Sequence, residues 1–315
     1  MLSNVESTSQ LMQCQTEAPT AQVEILTPRD VPLGGLRAMP VRRTLPQRQR
    51  SLIGAWCFCD HYGPEDVAVS GGMHVAPHPH TGLQTVSWLF SGEVEHRDSV
   101  GSHAMVRPGE LNLMTAGRGI AHSEVSTPST TVLHGLQLWV ALPESARFTE
   151  PAFEHYVPQP VSIPGGTMLT FLGGDSPVRT FTPLLGAEIR IDDAVELPLD
   201  PSFEHGVLVD AGPVSVNGTD AAPSELAYLP VGTEAVHLRG PGRVALLGGA
   251  PLGEQILMWW NFVGRTDAEV REYRAQWQSE FERTATATQF GVVPGYTGAW
   301  IPAPEVPTTA LRPRG

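Results

Sequence analysis

Hydrophobic positions along the chain fall in short runs, and Gly, Pro, Asp or Asn interrupts each run before a helix can be sustained. In the second half the runs are Met168 to Leu172, Ala187 to Ile191, Gly206 to Val209, Val214 to Val216, Leu226 to Leu229 and Arg243 to Leu247. They predict extended strands joined by tight turns. Thr85 to Phe90 has the same character and stops at the Ser91-Gly92 turn. Helical periodicity emerges only near the C-terminus, where Thr266 and Glu269 make a capping-box pair ahead of Val270, Tyr273, Trp277 and Phe281. The pattern predicts an all-β protein of barrel or sandwich type with a C-terminal helix packed on the β core.

The Pro-punctuated stretch Pro143 to Pro164 divides the pattern into an N-terminal domain, 22–148, and a C-terminal domain, 149–290, that includes the helix. Polar stretches at 1–21 and 291–315 are expected to be disordered tails. A length of 315 residues suits two domains, and 41% hydrophobic against 17% charged residues is enough apolar material for a large core. The formal net charge of −13 would repel a phosphate backbone, so nucleic acid is excluded as a direct partner. No apolar run reaches the roughly 18 residues of a membrane helix, and the N-terminus has no secretory pattern, so a cytoplasmic monomer is expected. Cys14, Cys57 and Cys59 are too few for a disulfide framework, and Cys57-Phe58-Cys59 reads as two small residues packed in a sheet rather than a metal pair.

Histidine changes the picture. Seven of the 11 histidines lie between His61 and His122. His78-Pro79-His80 and His122-Ser123-Glu124 both have a period of two, which on extended backbone turns both side chains of each pair to one face. If the two segments are neighbours in a barrel, three imidazoles and a carboxylate converge in its interior. That donor set suits iron, manganese, copper, nickel or zinc better than magnesium or calcium. Either pair alone is also what ordinary hydrogen-bonded histidines produce; their joint occurrence points to a metal centre.

The segments His78 to Val86, Gly92 to Ser99, Arg107-Pro108-Gly109-Glu110 and Met114 to Glu124 closely resemble the pirin family, and Val41 to Pro46 and Asp60 to Pro64 resemble its opening signature. The resemblance implies a bicupin, two β-barrels face to face, with one metal in the N-terminal barrel and none in the C-terminal one. Carried over by position, the ligands fall on His78, His80, His122 and Glu124, and the family points to iron. Gln84 stands where the family commonly has Glu, which implies a negative charge lost near the site. Resemblance to quercetin 2,3-dioxygenases implies opening of a flavonol by O2, with Glu124 as ligand and catalytic base. Other family members imply a redox-responsive regulator that docks a protein partner through its metal state. A closed structural zinc site is the third alternative.

The remaining candidates carry plainer expectations. Arg118 is read as a turn arginine in a solvated pair, and His61 and His74 as loop histidines. His96 and Asp98 share a strand face and are expected to support a neighbouring strand. Arg37, Arg42, Arg43, Arg48 and Arg50 are read as a solvated edge, and Trp259-Trp260-Asn261-Phe262 as interdomain core.

Overall fold

The computed structural model describes residues 23–32, 39–283 and 288–315; the expected N-terminal tail, Cys14 and Arg37 lie outside them. Two barrels dominate. The first pairs a seven-stranded sheet, in the order Ala152–Tyr156, Leu111–Thr115, Leu83–Ser91, Val132–Ala141, Trp56–Asp66, Pro40–Leu45 and Arg29–Pro32, with a four-stranded sheet of His74–His80, Ile120–Ser126, Val94–Asp98 and His103–Val106. The second repeats the plan. Its seven strands are Glu24–Leu26, Leu226–Leu229, Glu204–Ala211, Gly242–Gly249, Leu184–Ile191, Gly166–Leu172 and Val161–Ile163. Its four are Ala194–Pro198, Ala235–Arg239, Val214–Val216 and Thr219–Ala221. The all-β, two-barrel expectation is what the molecule shows, and the predicted capping box opens the helix Asp267–Phe281.

The two seven-stranded sheets pack face to face around one apolar cluster that includes Trp56, Trp88, Leu138, Phe171, Leu208 and Leu247. Trp88 is wholly buried, with its ring centroid 4.6 Å from that of Phe171. Its indole N–H donates to Glu188 at 2.9 Å, so the polar tip is satisfied across the interface. Trp56 likewise donates to the Gly248 carbonyl at 3.1 Å.

Three expectations need correction. Ala152–Tyr156, placed in the second domain, pairs with Leu111–Thr115 and so belongs to the first barrel's sheet. The C-terminal helix also packs on the first barrel: Phe262, Tyr273, Trp277 and Phe290 form a cluster with Ala121. The hairpin leading into the helix docks there through Val263, whose N–H donates to Thr81. Beside it Gly82 adopts φ 68°, and a side chain would strike the Val263 carbonyl. Conversely Glu24–Leu26, placed in the first domain, is paired into the second barrel.

The third correction concerns 291–315. Val293 and Ala303 are buried, the Trp300 ring stacks on Trp277 at 5.2 Å, and the Ile301 N–H donates to the Pro77 carbonyl. Isolated apolar anchors and backbone bonds hold this segment, which is why no periodicity announced it. Trp277→Ala removes the ring that Phe290 and Trp300 pack on and the donor to the Ile301 carbonyl. We expect a loss of about 3–5 kcal/mol in urea unfolding, with new protease cleavage in 288–315.

Candidate metal centre

His74–His80 and Ile120–Ser126 are antiparallel neighbours in which His78 stands opposite His122 and His80 opposite Ile120. Between His122 and Glu124 the register shifts, because His74–His80 carries an extra residue there. Such a bulge re-aims the side chains beside it. His78, His80 and His122 are brought together with one ring nitrogen from each inside a 4.8 Å group, and all three are buried. Glu124 lines the same cavity and lies within 4.8 Å of His122 and His96 rather than in the three-histidine group.

Hydrogen bonds fix which ring nitrogens face the cavity. His78 Nδ1 donates to the Ala76 carbonyl at 2.9 Å, which leaves Nε2 as the free lone pair. Asp98 engages His96 Nε2 at 3.2 Å and accepts from the N–H groups of Val100 and Ser102, so its carboxylate is held firmly. With His96 donating from Nε2, its Nδ1 accepts from His122 Nδ1 at 3.4 Å, and the His122 Nε2 lone pair turns inward. His96 also stacks on Phe153, 4.7 Å between centroids. The His96 and Asp98 pair therefore orients a candidate ligand as well as supporting a strand.

His80 Nε2 lies 3.0 Å from His122 Nε2, and the buried His80 Nδ1 makes no hydrogen bond of full geometry. With His122 Nε2 accepting, the neutral His80 ring can donate its own Nε2–H across this contact in the metal-free protein, and moving that proton to Nδ1 frees the lone pair for an ion. Burial strongly disfavours any further proton: it lowers His80 and His122 well below the usual imidazole range and His78 to about 4, with the neighbouring rings adding to the effect. Burial also raises Glu124, against the lowering pull of His96 and the Ser87 hydroxyl, which donates to Glu124 Oε1 at 3.0 Å. Three neutral imidazoles beside a buried carboxyl are a donor set that can hold a first-row metal ion.

The cluster opens into a cavity of about 360 Å³ lined by Phe58, Trp139, Gln137, Arg43, Trp260 and Asn261. Phe58 and Trp139 stack at 4.0 Å with their planes 11° apart, forming an aromatic wall. Arg43 lies over the Phe58 ring at 4.3 Å and makes a bidentate pair with buried Asp60 at 2.6 and 2.7 Å. Arg43 is thus part of the pocket wall rather than a solvated edge, and Trp260 lines its rim rather than an interdomain core. Gln84 does not line the cavity; its amide NH2 donates to the Thr115 hydroxyl and to the Arg179 carbonyl, the latter a bond that a carboxylate could not make.

Other expectations resolve simply. Arg118 pairs with exposed Glu150, and His74 is not a loop histidine but opens the strand His74–His80 and bonds Tyr296. Cys57 and Cys59 are buried, with burial pushing the Cys59 thiol up to about 12. His61 is a strand residue buried between the barrels, not a loop histidine. Among the described residues no helix is long and apolar enough to cross a membrane.

Two antiparallel barrels, one holding histidines around a cavity, define a bicupin. Residues 38–140 match the model of the Pirin family and 186–282 that of the Pirin C-terminal cupin domain. The chain belongs to the pirin family. It is 44% identical over 291 residues to a Pseudomonas aeruginosa protein provisionally named quercetin 2,3-dioxygenase, covering 90% of each. A Caulobacter vibrioides pirin-like protein is 34% identical, over 76% of this chain and 88% of its own. The crystal structure of an Acinetobacter baumannii quercetin 2,3-dioxygenase superposes with a TM-score of 0.85 at 37% identity, covering 91% of this chain and 97% of that one.

The depressed imidazoles set a pH dependence for the metal-free protein. Unfolded histidines take up protons near pH 6.5, whereas the folded cluster resists them, His78 down to about 4. The unfolded state therefore binds more protons as pH falls, and stability present above pH 6.5 is lost progressively toward pH 4. We expect the Tm of metal-stripped protein to drop across that window, and His78→Gln to flatten the slope relative to wild type.

Proposed function

We propose that the chain is a metal-dependent dioxygenase of the quercetin 2,3-dioxygenase type. In this reading His78, His80, His122 and Glu124 hold one divalent metal, iron in first place with manganese, copper, nickel or zinc as the other ions such donors accept. The observation that carries the reading is a cavity walled by stacked Phe58 and Trp139 that ends on the buried three-histidine cluster. Its volume is within the range of small-molecule pockets, and the relatives named as quercetin 2,3-dioxygenases support a flavonol as ligand.

When bound, the metal supplies Lewis acidity toward a flavonol's adjacent hydroxyl and carbonyl oxygens and redox activity toward O2. The chain's own residues do the rest. The Phe58 and Trp139 wall seats a planar ring system, and Trp260 and Ile301 at the rim limit water. Arg43, locked by Asp60, holds a fixed positive charge over that wall for a ligand that ionises on binding. Glu124 takes the hydroxyl proton: its raised affinity for protons suits a base, and Ser87 fixes its Oε1. Its inferred place as a ligand has the carboxylate share itself between ion and proton.

Glu124→Gln keeps the shape and the three imidazoles while abolishing the base. We expect metal content by elemental analysis near wild type and flavonol-dependent O2 uptake reduced by about 10²–10⁴-fold. Wild-type turnover in this variant would remove the base role, and metal-loaded protein with no O2 uptake on any flavonol would remove the enzymatic reading.

A further inference from the structure

His61, His134 and Asp210 form a second buried group outside the cavity. His61 and His134 come from Trp56–Asp66 and Val132–Ala141 of the first barrel, and Asp210 from Glu204–Ala211 of the second. All three face the junction between the seven-stranded sheets. His61 Nε2 lies 3.1 Å from His134 Nε2 and 2.8 Å from Asp210 Oδ1, and His134 Nε2 lies 2.6 Å from that same oxygen.

Hydrogen bonding satisfies this triangle only when both Nε2 atoms carry a proton and donate to the one oxygen Asp210 Oδ1, where the nitrogens subtend about 70°. With a proton on only one, the other nitrogen presents its lone pair to a carboxylate oxygen. A single cation satisfies all three contacts. Donors about 2.0–2.2 Å from a metal lie about 3.0 Å apart at right angles and about 3.4 Å apart at the tetrahedral angle, so the 2.6–3.1 Å seen is near the first and has to open slightly around a tetrahedral ion.

The surroundings prepare the same three atoms. His61 Nδ1 is 2.8 Å from Ser224 Oγ, which can accept its proton and leave Nε2 bare. Asp210 Oδ2 is taken by Arg243 Nε at 2.6 Å, leaving Oδ1 for the junction. Such outer partners orient ligands. Arg243, stacked on Phe90 at 4.1 Å, also opposes an incoming positive charge.

We propose that His61, His134 and Asp210 form a second metal site, a two-histidine, one-carboxylate set that takes a first-row dication such as zinc and clamps the two barrels together. Its ligands are assembled only when the barrels are docked, so ion and interface stabilise one another. The Arg243 charge makes it the weaker acceptor that a neutral replacement should strengthen.

The test uses full-length protein stripped with chelator, then loaded with Zn2+ and desalted. Wild type is expected to retain two equivalents, and His134→Gln and Asp210→Asn one each, with a smaller Zn2+-induced rise in Tm. Arg243→Gln should lower the Zn2+ concentration for half-loading of this site. A crystal of wild type soaked in Zn2+ provides a reading independent of variant folding: an anomalous peak bonded to all three donors is expected. One equivalent unaffected by either substitution, or no peak there at saturating Zn2+, overturns the proposal in favour of a metal-free hydrogen-bonded junction. Either result leaves the cavity's dioxygenase reading untouched, since none of these residues lines it.

Discussion

The structure turns on three imidazole rings placed where none can comfortably carry a proton. His78, His80 and His122 are enclosed by their barrel, and their rings sit 4.4 to 5.0 Å apart between centroids. Removing such groups from water stabilises the neutral form, and each neighbour that might charge penalises the next. What remains is a set of neutral rings whose nitrogens converge on one space, a donor set favourable for a metal ion. The Ala76 carbonyl and the His96 and Asp98 pair exist to hold the rings in that arrangement.

Enclosure depends on segments far away in sequence. The strand Ile120–Ser126, which carries His122 and Glu124, is backed at Ala121 by Phe290, and Ala121 N–H donates to the Phe290 carbonyl. Pro77, in the strand His74–His80 just before His78, accepts from Ile301. The last part of the chain is therefore the outer wall of the first barrel, while Glu24–Leu26 completes a sheet of the second. Neither barrel is closed by its own contiguous sequence, which couples the site's integrity to the docking of both.

The sequence showed what depends on local repetition. The His78 and His80 pair, the His122 and Glu124 pair and the Thr266 capping box each rest on backbone geometry within a few residues, so spacing alone exposed them. Arg43 and His61 were misread because their partners are remote. Arg43 looked like one of several surface cations until Asp60 and Phe58 were set beside it, and His61 meets Asp210 149 positions on. Gln84 shows a further limit: family position identifies a residue, but only the Thr115 and Arg179 contacts show which way its side chain turns. The C-terminal segment escaped because aromatic anchors separated by Gly and Pro have no period to detect.

Two barrels of one plan have been given opposite interiors. In the second, Ile189, Val195, Val207, Val216, Leu238 and Leu246 pack into a continuous apolar cluster, the dense filling that makes a rigid body. In the first, the corresponding small sheet spends its inward positions on histidine and leaves a cavity, forfeiting the contacts those positions would otherwise supply. The barrel with the cavity is the one braced on both sides: by the second barrel through Trp88, Phe171 and Glu188, and by the helix and C-terminal segment through Trp277 and Phe290. The second barrel thus contributes to the site without touching its chemistry, by giving a hollow, histidine-lined neighbour a solid surface to pack against.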